Sequence, residues 1–135
     1  MIDHLTIETR GPGLLEITHE VTGVVVRSGV AQGLCTVFIR HTSASLTVQE
    51  NADPSARRDL ESWLERHVPE EDPHFTHTIE GPDDMPSHIK AALTATSLGI
   101  PVSNGHLVLG TWQGLFLWEH RRSPKVREIV VHVSG

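Results

Sequence analysis

The chain has 135 residues, 11 basic against 17 acidic side chains, and a net charge of −6 with neutral histidines. That length suits one domain able to bury its own core and leaves no room for a second, so a single domain over residues 1–135 is expected. Without a dense Lys/Arg run the acidic balance excludes a surface that tracks a phosphate backbone, and nucleic acid is not expected as a partner. No apolar stretch approaches the ~20 residues that span a bilayer, and Met1-Ile2-Asp3-His4 carries acid where a signal peptide needs base. A soluble, cytoplasmic protein with no membrane partner is therefore expected.

Residues 3–9 alternate apolar and polar side chains with β-branching, which predicts a half-buried strand ended by the turn Gly11-Pro12-Gly13. After a short strand at 14–17, Thr18 is placed to cap a helix in which Val21, Val24, Val25 and Ser28 recur at helical spacing before Gly29, although three valines also suit a strand. A mostly apolar strand over 33–41 and a short one over 45–50 meet at the polar corner His41-Thr42-Ser43-Ala44. Cys35 lies in the first of these and is read as a buried small hydrophobe, not a catalytic thiol, because no charged neighbour lowers its pKa. Asp53-Pro54-Ser55 opens a second helix, with Asp53 as cap, Pro54 at the first position and Leu60, Trp63, Leu64 and His67 at helical spacing, stopping before Pro69. An acidic loop over 68–73 leads to a short strand over 74–79. Two prolines, a glycine and three carboxylates within 80–86 then make a structured loop, followed by a helix over 87–98 closed by Gly99. Strands over 100–103, 107–111, 112–120 and 126–133 complete the chain, broken at Asn104-Gly105, Gly110 and Ser123-Pro124. Strands outnumber helices without βαβ alternation, so the fold class is α+β with a mostly antiparallel sheet and two or three helices.

Ten histidines against no tyrosine point toward site chemistry, because imidazole is both the proton carrier of neutral pH and the commonest transition-metal ligand. Four clusters place polar groups at strand ends and in loops, where a scaffold presents them to ligand. His41-Thr42-Ser43-Ala44-Ser45 sets an imidazole beside hydroxyls and free backbone N–H groups at a strand exit, an arrangement suited to a metal or an oxyanion. Glu50-Asn51-Ala52-Asp53 is explained as readily by turn and cap roles. His77 and His88 converge across the acidic loop between them, where Asp83 and Asp84 either orient a ligand histidine or cap the next helix, whose N-terminus also attracts anions. In the fourth, 110–121, alternation sets Glu119 on one face with Leu115 and Leu117, and a carboxylate there is either paired or functional. Trp112, Phe116 and Trp118 share the opposite face, to be covered by a helix or a neighbouring subunit.

The strings 41–45 (HTSAS), 50–54 (ENADP), His77 with 80–86 (EGPDDMP) and 88–91 (HIKA), Asn104-Gly105, 110–114 (GTWQG) and 119–121 (EHR) resemble the YjbQ family in order and spacing, over nearly the whole chain. The resemblance implies an α+β fold on a β-sandwich-like core and a homotrimer. It also implies a secondary thiamine-phosphate synthase activity, which joins a pyrimidine diphosphate to a thiazole phosphate with release of pyrophosphate. His41, His77 and His88 are carried over as a triad for a divalent metal, zinc by ligand type, with Asp84 and Glu119 as acid/base or ligand-orienting groups. The expected ligand is a phosphorylated small molecule. Against this stand a metal-dependent phosphohydrolase, which an open three-His site would also suit, and a metal- or anion-binding module without turnover, suggested by the secondary character of the implied activity; neither a Gly-rich phosphate loop nor a DDxxD string is present.

Overall fold

The computed structural model describes residues 1–135. In chain order the elements are β1 (Ile2–Thr9), β2 (Gly13–Glu16), α1 (Thr18–Ser28), β3 (Gln32–Ile39), β4 (Ala44–Glu50), α2 (Pro54–His67), α3 (Asp84–Leu93), β5 (Ser97–Ser103), β6 (His106–Leu107), β7 (Gln113–Glu119) and β8 (Lys125–Ser134). Every strand pair is antiparallel, in a five-stranded sheet ordered β1-β8-β3-β5-β6 and a three-stranded sheet ordered β2-β7-β4. The class is α+β. No helix is long and apolar enough to cross a membrane.

The sheets pack through alternate residues: Val37, Ile39, Ile129, Val131 and Val133 from the larger one meet Ala44, Leu46, Leu115 and Leu117 from the smaller. One face of α1 joins them with Val21, Val24 and Val25, all essentially inaccessible. Burial therefore decides this segment for helix, since three buried valines contribute about 1.5–3 kcal/mol each against the few tenths that each β-branched residue costs a helix. Thr18 does not cap the helix as expected. Ile17 holds the cap position, and the Thr18 hydroxyl donates to Glu16 and accepts the Leu115 N–H, tying α1 to β7.

Asp53 caps α2 as its sequence predicts, accepting the Ser55 N–H at 2.9 Å with Pro54 in the first turn. The helix lies on the outer face of the three-stranded sheet, where Leu60, Leu64 and Val68 cover Leu14, Phe116 and Trp118. Phe116 and Trp118 are thus satisfied within one chain and Trp112 alone of that trio stays exposed, which removes the apolar face expected to demand a neighbouring copy. On the outer face of the five-stranded sheet Ile2, Leu34, Phe38 and Val126 are left open, and on the three-stranded sheet Leu15.

Two expectations near the acidic loop are corrected. Residues 74–79 form turns and coil, not a strand. The helix after the loop begins at Asp84, three residues earlier than expected, because Pro86 falls in its first turn, where a missing N–H costs nothing. It ends at Leu93, and 97–98 instead start β5 by pairing with Phe38 and Val37.

Candidate metal centre

The early start of α3 puts Asp84 and His88 four residues apart on one helical face. His77 reaches the same point from the preceding loop. His77 Nε2 lies 2.7 Å and His88 Nε2 2.9 Å from the same oxygen, Asp84 Oδ2, and all three ligand-type atoms fall within 4.8 Å of one another. Asp84 is buried, His88 partly buried and His77 exposed, so the cluster opens to solvent on the His77 side.

Two contacts fix its orientation. Asp84 Oδ1 accepts from Arg121 Nη1 at 2.7 Å, which turns Oδ2 toward the imidazoles. Arg121 also donates through Nε to Asp83 Oδ2 and through Nη2 to the Glu80 carbonyl, stapling the 80–84 loop to the end of β7. His88 Nδ1 lies 2.8 Å from the Thr42 carbonyl, an acceptor only, so Nδ1 bears a proton and neutral His88 directs its Nε2 lone pair at Asp84. Two lone pairs at 2.9 Å call for a cation between them, a proton or a metal ion. Burial alone would raise the Asp84 carboxyl, but His77, His88 and Arg121 outweigh it and hold the group below the ordinary carboxylate range. An ionised carboxylate, two imidazoles and an open side are a donor set that fits zinc or a similar divalent ion.

His41 does not join this cluster. Its Nε2 accepts the Glu128 N–H at 2.8 Å and its Nδ1 faces Arg127, so both ring nitrogens are turned toward β8. Burial and the Arg127 charge lower its pKa, and the ring is neutral at pH 7. Of the expected triad the structure brings together His77 and His88, with Asp84 as the third member in place of His41. The remaining expected acid/base group, Glu119, is buried and saturated. It accepts from Arg127 Nε and Nη2, from the Thr9 hydroxyl at 2.6 Å and from the N–H groups of His120 and Arg121. The "paired" branch of the sequence reading therefore holds for Glu119, which leaves it without the freedom of a proton shuttle. The start of α3 is not an anion site either, since Asp83 and Asp84 stand there and Pro86 has no N–H.

One buried group, His120, stands in the sequence reading only as part of the fourth cluster and as a fallback beside Glu119, without a structural role. His120 Nε2 lies 2.9 Å from Ser45 Oγ, which in turn meets the Thr94 hydroxyl at 2.6 Å, joining β7, β4 and the end of α3. Burial, with a contribution from Lys90, drives its pKa down to about 3. The signal was the alternation of β7 continuing one residue past Glu119.

A two-sheet α+β domain with a histidine–carboxylate cluster where α3 meets the end of β7 defines the class, and comparison places it. The chain belongs to the YjbQ family: the model described as UPF0047 protein YjbQ-like matches residues 3–135. It is 56% identical over 131 residues to the UPF0047 protein sll1880 of Synechocystis, covering 97% of this chain and 89% of that one. It is 41% identical over 132 residues to the UPF0047 protein YjbQ of Escherichia coli O157:H7, covering 97% and 95%. A crystal structure of a YjbQ/UPF0047-family protein from Clostridium acetobutylicum superposes with a TM-score of 0.90 at 34% identity, over 98% of this chain and 99% of that one. A conserved hypothetical protein from Thermus thermophilus gives 0.88 at 36% identity, with the same coverage.

Proposed function

We propose that the protein is a divalent-metal-binding enzyme acting on phosphorylated small molecules, with thiamine-phosphate synthase-type transfer as the activity the family resemblance implies. The observation that supports this best is the shared Asp84 Oδ2, flanked by two imidazoles and held in place by Arg121 through the other carboxylate oxygen. His77, Asp84 and His88 would hold the ion, and a bound divalent cation supplies positive charge to offset that of a pyrophosphate leaving group. The chain's own part is orientation. Arg121 fixes the carboxylate, the Thr42 carbonyl fixes the His88 tautomer, and the ionised Asp84 keeps the ligand set ready at neutral pH.

Assembly as a homotrimer and a cytoplasmic location belong to the same proposal. The exposed Leu34, Phe38 and Val126 on the five-stranded sheet offer the surface for neighbouring copies.

The test is turnover by purified protein with the pyrimidine diphosphate and thiazole phosphate, together and singly, before and after chelation, alongside elemental analysis. Pyrophosphate release that needs both substrates and the metal is the expected result. Orthophosphate release from one substrate alone would make the protein a phosphohydrolase, and tight metal binding without any product would make it a binding module.

A further inference from the structure

Arg127 on β8 is 4% exposed, and most of its guanidinium is engaged. Nε donates to Glu119 at 2.7 Å, and Nη2 donates to the same carboxylate and to the Ser43 hydroxyl and carbonyl at 2.9 and 3.2 Å. Nη1 has a single polar neighbour, His41 Nδ1, at 3.3 Å. Counting protons shows that this contact is not a hydrogen bond. The Glu128 backbone N–H can only donate, so His41 Nε2, 2.8 Å away, holds the lone pair of the neutral ring, and the ring proton sits on Nδ1. Arg127 Nη1–H, on a buried side chain, and His41 Nδ1–H, on a half-buried one, are thus two donors side by side, and a donor on a buried side chain is almost always satisfied.

An acceptor placed between them completes the count. We propose that this is an oxyanion subsite, in which one oxygen of a phosphoryl group accepts from Arg127 Nη1 and His41 Nδ1 together. A charged donor beside a neutral one favours an anionic oxygen over a neutral acceptor. Position supports the same occupant: His41, with Thr42 and Thr96, lines two clefts of about 480 and 470 Å³, the first of which also reaches His88, and Arg127 stands next to His41 outside both linings. A phosphorylated molecule bound in that cleft spans from the His88 side to the His41 side. The inference rests on reading the His77–Asp84–His88 cluster as a site for phosphorylated substrates, and it gives His41 an anion-binding role in place of metal ligation.

The test uses ¹⁵N-labelled, chelator-treated full-length protein titrated with inorganic phosphate. His41 should be the Nδ1–H tautomer before addition, and phosphate should shift His41 Nδ1 and Arg127 Nη1 saturably. His41→Leu, which lacks the donor, should weaken phosphate binding by about tenfold or more. His41→Gln supplies an acceptor for the Glu128 N–H and a donor toward the anion, and should stay within about threefold of wild type by the same reasoning. An Nε2–H tautomer, unchanged binding by His41→Leu, or phosphate shifts confined to other residues would each overturn the proposal, and so would a pair that answers to water alone. Elemental analysis in parallel separates the two readings. Phosphate shifts at His41 in a protein that takes up no metal would leave the subsite standing and remove the metal centre, whereas metal uptake with His41 untouched by phosphate would do the reverse.

Discussion

Glu119→Gln separates a structural carboxylate from a catalytic one. The substitution keeps the side chain's shape and one acceptor oxygen but turns the other corner into an NH₂. Whichever corner changes, the new donor meets Arg127 and at least one further donor: Thr9 at Oε1, or the His120 and Arg121 N–H groups at Oε2. Arg127 meanwhile stays buried without its counter-charge, and breaking a buried pair in this way costs about 3–5 kcal/mol. Against a total stability of about 5–15 kcal/mol the variant still folds at 25 °C over most of that range, with a melting temperature lower by roughly 10–15 °C. Urea denaturation should show the loss as a lower midpoint with an unchanged slope. Burial raises the Glu119 carboxyl, but Arg127 and Thr9 outweigh it and leave the folded pKa below the ordinary 4.5. The pair therefore stabilises the fold above that pH, the contribution is lost as pH falls through the folded pKa, and the variant should lack that part of the acid-denaturation limb. A loss below about 1 kcal/mol, a scale typical of neutral hydrogen bonds, together with abolished turnover would refute the structural role and return Glu119 to acid/base chemistry.

Asp84→Asn should take up metal at least tenfold more weakly in equilibrium dialysis, and Arg121→Lys, which loses the fork that pins Asp84, by about 10–100-fold with its circular dichroism unchanged. His120 is neutral in the fold, with a pKa near 3 against an ordinary 6.5, so the unfolded chain takes up its proton first on acidification. Stability should fall by on the order of 1 kcal/mol per pH unit from about 6.5 downward, and His120→Gln should flatten that slope in denaturation series; an unchanged slope would mean that His120 is not the titrating group. Cys35 is fully buried and its thiol is pushed up to about 11 by burial, so Cys35→Ser should lower the melting temperature while leaving turnover intact, as thermal scans and assays of the same sample would show.

Local signals were sufficient for most of the fold. The Asp53-Pro54 opening of α2, the break at Asn104-Gly105 between β5 and β6, the alternation of β7 and the strand that is β8 all depend on neighbours in sequence, and each appears as expected. His77 and His88 were legible as a pair because one short loop separates them. Asp84 as their partner was within reach too, since its spacing of four from His88 is a helical one, but Pro86 was taken to break the chain when it stands in a first turn. Other outcomes belonged to tertiary structure alone. Whether the Val21–Val25 segment is helix or strand turned on what it packs against, and whether Glu119 is paired or free turned on Arg127, eight residues on but in β8 of the other sheet. His41 left the metal cluster because a backbone N–H of β8 claims its Nε2, and hydrogen bonds to a strand 87 positions away leave no mark in local sequence.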